Sequence, residues 1–304
     1  LASGTYRYDD LQFDERDQGT DDGTRLRIRA AAGATVELSG SVTSSAWEEV
    51  TAGNDAFAWG RIPEAGRGSI YRLNVASIMG GDKGALQGSF NTFGNLCVPI
   101  IDGVIPEMPT WEAGGTGGLF TADPWVQITA VQDNGQGKTS YSTLGTGTPL
   151  GWGDLSQEDC IVTGMVSYSY WWIWKRVSGF TNVGGNARFG YVFDKPDPLQ
   201  AGNSWNKVVI RNLLRHMRSG QMVWNHARGW LYYWSPSGDT PPAVELTKGK
   251  RLLQFGHDLN TWPPSYDPAR ATRWISVEGI PLQGAREQVV GIYGCDHIRF
   301  RNCK

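Results

Sequence analysis

Short segments of strict apolar–polar alternation stand at both ends of this sequence and recur at a spacing of roughly two dozen residues. Near the start they are Leu11-Gln12-Phe13, Leu26-Arg27-Ile28 and Val36-Glu37-Leu38. Near the end they are Ile275-Ser276-Val277 and Ile298-Arg299-Phe300, with Val289, Val290 and Ile292 supplying another short strand between them. Alternation with a period of two is the mark of a half-buried strand. Leu11 and Phe13 precede Val36 and Leu38 by 25 positions (36 − 11), and Ile275 and Val277 precede Ile298 and Phe300 by 23 (298 − 275). Gln18–Gly23 and Ala32-Gly33-Ala34 are turn material between the strands. Strands this short cannot bury an apolar face alone, so successive turns of chain must stack on one another. The expectation is parallel stacked strands with Leu26, Ile28, Val36, Leu38, Ile275, Val277, Ile298 and Phe300 pointing inward.

The stretch from about residue 46 to 271 does not keep this beat. It is rich in Trp, Gly and Pro and reads as inserted β-rich structure. The organisation expected is therefore 1–45 as the first strands, 46–271 as an insertion, and 272–304 as the first regular coil, continuing beyond the chain. Within the insertion, Asn206–Arg218 has helical spacing at Val209, Ile210, Leu213, Leu214 and Met217. A strand from Val208 to Ile210 followed by a turn is the competing reading. Trp230–Trp234 is a strong strand closed by Ser235–Asp239.

Composition narrows the function classes. Only 19% of the 304 residues are charged, the net charge is −2, and Gly (40) and Trp (14) are abundant. With few helical patterns, this balance points to all-β structure with many turns. Nothing resembles the basic footprint of a nucleic-acid-binding protein. The longest apolar runs, such as Val98–Ile101, fall far short of the ~20 residues that span a bilayer. The first residue is Leu1 rather than Met, which with this composition gives the expectation of a secreted or cell-surface protein. Of the four cysteines, Cys97 and Cys160 are either a disulfide or buried thiols. Cys295 and Cys303 are expected to belong to a stacked interior rather than to each other.

Four segments, in their shared order, resemble secreted right-handed parallel β-helix proteins of the pectate-lyase-like kind. They are Leu1–Tyr8 with Arg27–Gly40, Cys97–Trp111, Gly220–Pro236 and Gly291–Cys303. In the second, the Ala-Arg usual in such proteins is replaced. The resemblance covers about half the chain. It implies an all-β fold, a right-handed parallel β-helix start with a large β-rich, aromatic-rich insertion. It implies a carbohydrate-active protein that acts on polysaccharide as a lyase, glycoside hydrolase or uronate epimerase. The alternative is a non-catalytic surface or filament protein on the same scaffold. In such proteins more coils normally follow and commonly carry the catalytic groups. Further coils, or another chain, are accordingly expected to stack at the C-terminal end.

Candidate residues follow from sugar chemistry. Aromatic faces stack on sugar rings while polar groups bind hydroxyls, which singles out Trp171, Trp172, Trp174, Trp224, Trp230 and Trp234 as substrate-binding. Lyases and epimerases need a base beside a group that neutralises the uronate carboxylate. His257 with Asp258, His226, and Asp296 with His297 are the candidates. Asp21-Asp22 and Asp194–Asp197 leave calcium open as a cofactor, although neither stretch has the regular run of oxygen ligands that calcium loops use.

Overall fold

The computed structural model describes residues 1–8, 11–81, 88–89, 97–109, 126–133, 139–144, 159–166, 171–183, 186–192, 207–249, 251–256, 271–285 and 288–304. The protein is all-β. Its described α-helices are four-residue pieces, Ala56–Trp59 and Val75–Ile78. The chain divides into two compact units, one of Leu1–Thr43, Cys97–Pro99 and Glu245–Lys304, the other of Ser44–Leu96 and Ile100–Val244.

Three three-stranded sheets lie wholly within the first unit, and every pairing in these three is parallel. Each sheet takes one strand from each of successive passes of the chain, so the strands form tiers. The lower tier is Leu11–Phe13, Leu26–Arg29 and Val36–Ser39, with Gly4–Arg7 beneath the last of these. The middle tier is Arg251–Phe255, Thr272–Glu278 and Leu282–Gln283. The upper tier is Gln288–Ile292 and Cys295–Arg301. Leu253 pairs with Leu11 below and Val290 above, and Ile275 pairs with Leu26 below and Ile298 above.

Registration of like residues builds the core. Val36, Leu38, Leu252, Leu253, Phe255, Ile275, Val277 and Ile280 are buried together. Ile28, Ile298, Phe300, Cys295 and Cys303 pack half-buried against them. Phe13 stacks on Phe255 with ring centroids 5.3 Å apart, and Phe300 meets Phe255 edge-on at 5.8 Å. Leu26 departs from expectation, being 36% exposed. It shares the column of Ile275 and Ile298, but its strand is the outermost of its sheet, so no further strand covers it.

The two sequence spacings have different physical content. The 23-residue offset is a true stacking repeat, since Ile298 lies over Ile275 in register. The 25-residue offset is not: Leu11–Phe13 pairs with Arg251–Phe255, whereas Val36–Ser39 pairs with Gly4–Arg7 and Leu282–Gln283. Those two segments sit side by side in the lower tier rather than one above the other.

The second unit is antiparallel. Six strands pair in a closed circuit: Ile161–Val166, Lys207–Arg211, Val126–Asp133, Thr139–Leu144, Asn186–Val192 and Trp171–Val183, which returns to Ile161–Val166. Closure removes the exposed edges an open sheet of this size would present. A second sheet runs Met222–Asn225, Trp230–Trp234, Ile70–Asn74 and Glu48–Glu49. It packs over Val50, Ala58, Ile62, Leu214 and Met217. The helix expected over Asn206–Arg218 is instead the strand Lys207–Arg211 followed by a single 3₁₀ turn at Leu214–His216. Its apolar residues satisfy a helical period, but the β-branched run Val208-Val209-Ile210 pairs along its length with Ile161–Val166, and Val208 also pairs with Val126 on the other edge, which decides for strand.

Candidate functional site

Three five-residue segments of the first unit are equivalent: Arg25-Leu-Arg-Ile-Arg29, Trp274-Ile-Ser-Val-Glu278 and His297-Ile-Arg-Phe-Arg301. The register Leu26–Ile275–Ile298 places Arg25, Trp274 and His297 one above another at the entrance to a single sheet. Trp274 and His297 both adopt the left-handed backbone region, at φ 56° and 57°. Bulky residues rarely take that conformation, and it costs on the order of 1 kcal/mol or more each. At this point the chain bends into the strand, and the same bend recurs on two tiers.

The three side chains interlock. The Trp274 and His297 ring centroids lie 3.8 Å apart at an interplanar angle of 66°. The Arg25 guanidinium lies 5.2 Å from the Trp274 ring centroid. Arg25 is buried, and its Nη1 donates to the carbonyl of Ile275 at 3.2 Å and to the carbonyl of His297. One guanidinium thus ties all three tiers together. Asp22 accepts from Arg25 Nη2 at 2.7 Å and Nε at 3.1 Å, and Arg299 Nη2 lies 3.6 Å from the same carboxylate oxygen. The Arg25 hydrogen bond, helped by the Arg299 charge, holds the Asp22 carboxyl below the usual carboxylate range. Asp22, Arg25, Trp274, His297, Ile298 and Arg299 line an open cleft of about 520 Å³, within the several-hundred Å³ usual for small-ligand sites. Trp274 is half-buried and His297 exposed, so both reach the cleft.

The residues expected from sequence are distributed differently. Of the described candidates, His297 and Asp22 line this cleft, while Asp296, the neighbour of His297, faces Arg273 at 3.3 Å. His226 is buried in the second unit, its backbone N–H bonded to the Asp159 carboxylate and its ring stacked on Trp224 at 5.3 Å. Trp224 is 0% exposed and belongs to the core. A ring with no accessible surface offers no face to a sugar, which removes it as a binding residue. Trp230 and Trp234 are half-buried against the core of the second unit, with the Arg72 guanidinium 4.2 Å from the Trp230 ring centroid. Trp171, Trp172 and Trp174 lie on the closed circuit of strands, opposite Val166, Met165 and Thr163. His257, Asp258 and the Asp194–Asp197 stretch lie outside the described residues.

The calcium candidate Asp21-Asp22 is a turn. Asp21 Oδ1 accepts from the backbone N–H of Gly23 at 2.7 Å and Thr24 at 2.9 Å, while Asp22 faces Arg25. Both carboxylates are engaged by the protein's own donors. Among the described residues no group of three or more His, Cys, Asp or Glu side chains comes together to hold a metal. The four cysteines stand as thiols, with Cys97 and Cys160 buried. Among the described residues no helix is long and apolar enough to cross a membrane.

Sequence reasoning missed Arg25 and Trp274 and read Asp22 only as a calcium ligand. The signal was present: aligning the three pentads on their alternation puts Arg25, Trp274 and His297 in one column.

No family model and no curated protein matches the chain in sequence. In fold it is similar to a solved structure described as a glycoside hydrolase, with a TM-score of 0.60 and 15% identity. The match covers 94% of this chain and 42% of that one, so the chain spans less than half the length of its structural neighbour.

Proposed function

We propose that the chain forms the opening tiers of a secreted right-handed parallel β-helix of the pectate-lyase-like kind, that the protein acts on polysaccharide, and that a sugar chain is held in the Trp274 cleft. The wholly parallel pairing of the three sheets in the first unit supports the helical reading. The likeness to a glycoside hydrolase supports the carbohydrate reading.

The observation that carries the proposal is the partly buried Trp274 indole, held by the Arg25 guanidinium and the His297 ring and lining the cleft. A fixed aromatic surface packs on the C–H face of a sugar without losing side-chain freedom on binding. Asp22, held ionised, accepts hydroxyl protons, and Arg299 and the His297 ring supply polar contacts around it. The described lining contains a single carboxylate, whereas glycoside hydrolysis by the usual route needs two. This cleft is therefore read as the place where sugar is held. His257 and Asp258, which follow the middle-tier strand directly, remain the proposed catalytic pair, with Trp171, Trp172 and Trp174 as further sugar contacts.

Stacking at the upper tier, which the catalytic and the non-catalytic readings share, has one observation in its favour. The upper-tier strands are outermost in their sheets, and Ile292 on one of them is 52% exposed. An outer strand offers unpaired backbone groups to another strand, which fits a further coil or a second chain stacked on this face.

Affinity electrophoresis against a panel of neutral and acidic polysaccharides tests the main proposal. Trp274→Asn keeps a residue that tolerates the left-handed backbone while removing the ring. Binding of at least one polysaccharide, weakened about tenfold or more by this change, is expected. Retention of full binding by the folded variant would overturn the cleft as the sugar site.

A further inference from the structure

The first unit ends above and below in outermost strands. Leu11–Phe13 and Leu26–Arg29 are outermost below, Gln288–Ile292 and Cys295–Arg301 above. Apolar columns run from one end to the other. Leu11, Leu253 and Val290 form one, Leu26, Ile275 and Ile298 another, and Ile28, Val277 and Phe300 a third. A second copy placed on top, one strand spacing of about 4.8 Å higher, would continue each of them. Its Leu11 would lie over Val290, and its Leu26 and Ile28 over Ile298 and Phe300. Both ends carry apolar surface for such a contact, since Leu26 is 36% and Ile292 52% exposed. Outermost strands template association of this kind, and loss of apolar area to water drives it.

The outward positions of the same sheet work against it. Ile28, Ile275, Val277, Ile298 and Phe300 turn toward the core, so the alternate positions turn away from it. These are Arg27 and Arg29 below, Ser276 and Glu278 in the middle, and Arg299 and Arg301 above. Within the chain, Arg27 and Arg299 each face Ser276, and Arg29 and Arg301 each face Glu278. Ser276 is 0% exposed and donates to Glu278 at 2.6 Å. That bond first, and then the charges of Arg27, Arg301 and Arg29, hold the Glu278 carboxyl below its usual range. The middle strand thus keeps the lower arginines from meeting the upper ones. A stack of copies has no such strand at the junction. The register that continues the apolar columns would set Arg27 on Arg299 and Arg29 on Arg301. A slip of one residue would part the arginines but turn the apolar set outward.

We infer that Arg27, Arg29, Arg299 and Arg301 form an electrostatic block that keeps copies of this chain from stacking end to end. The inference uses only the stacking register and is independent of the sugar reading. Like charges directly opposite one another on neighbouring strands are destabilising, and here the conflict occurs twice per junction. Guanidiniums keep their charge at any pH a protein tolerates, so the block is permanent. Asp22, 3.6 Å from Arg299, offsets part of one charge. Arg29 and Arg301 already share Glu278, so their meeting carries the larger repulsion.

Sedimentation velocity on the full chain tests this at about 0.05 and about 0.5 M sodium chloride, where screening differs strongly. Arg27→Glu with Arg29→Gln makes the lower edge complementary to the upper one and places no carboxylate opposite Glu278. This variant should self-associate about tenfold or more tightly than the parent at low salt, and less tightly as salt rises. Arg27→Lys with Arg29→Lys keeps the charge and should behave as the parent does. Adding Ile292→Lys to the associating variant puts a charge on the junction and should abolish association. Thermal melts check folding. Arg299→Gln with Arg301→Gln relieves the repulsion from the other end, so the inference stays testable if the first variant does not fold. Four results would each overturn it: charge-altered variants that associate no more than the parent, a lysine variant that associates as the glutamate one does, association that survives Ile292→Lys, or a parent that associates more tightly as salt is lowered.

Discussion

Gly256 shows how little freedom a single position can have in the stacked tiers. It ends the middle-tier strand Arg251–Phe255 at φ +79°, with its N–H bonded to the Phe13 carbonyl below. A Cβ there would lie 1.9 Å from the Tyr293 carbonyl oxygen and 2.9 Å from the Cys295 sulfur. The first obstruction is backbone and cannot swing aside. Gly256→Ala therefore combines a disfavoured backbone with a hard clash, and a loss of about 3 kcal/mol or more is expected. Urea unfolding of the variant checks this, and a change below about 1 kcal/mol would mean that the neighbouring tier yields at this point. Arg25 makes the complementary case. Its guanidinium bonds to carbonyls on both higher tiers, so Arg25→Met should cost about 2–3 kcal/mol by leaving those acceptors and Asp22 without their donor.

At the scale of elements, alternation was legible and neighbour identity was not. The pentads beginning at Trp274 and His297 stack as their 23-residue spacing implies, because that spacing is one pass of the chain. The lower tier could not be matched to the middle one by spacing, since Leu11 and its partner Leu253 are separated by the entire second unit. Leu26 has the right period and column but an outer strand, and no period reveals which strand is outermost. Trp224 and Trp274 are indistinguishable as residue types: one fills a core, the other borders a cleft, and packing alone separates them.

The second unit carries a pH dependence at the 3₁₀ turn Leu214–His216. Burial, reinforced by the charges of Arg215 and Arg218, pushes the His216 imidazole down to about 4. The unfolded chain, titrating near 6.5, binds more protons between these values, so stability falls as pH drops from about 6.5 to about 4, by up to ~3 kcal/mol. Asp55 acts in the same direction. Burial raises its carboxyl, but the Tyr232 hydroxyl at 2.7 Å, Arg228 at 2.8 Å and the Ala58 N–H outweigh burial and lower it. Its contribution is present above the unfolded carboxylate value and disappears as pH falls through the lower folded one. Unfolding midpoints should thus decline on acidification, and His216→Leu should flatten the decline between pH 6.5 and 4. A His216→Leu profile parallel to that of the parent protein would contradict this assignment.

For the molecule as a whole, low overall charge conceals a local concentration. A net charge of −2 coexists with one sheet face holding four arginines around a single glutamate. Composition reports the average, while register determines what a ligand meets. The same register assembles the cleft, because Arg25, Trp274 and His297 are separated by hundreds of residues or by a full pass of the chain and meet only through parallel stacking. The most direct measurement is a crystal structure of the chain with an oligosaccharide derived from whichever polysaccharide it binds. The account predicts sugar density packed against the exposed part of the Trp274 indole, within hydrogen-bond reach of Asp22 and Arg299. Density on another surface, with the Trp274 cleft empty at saturating ligand, would contradict it.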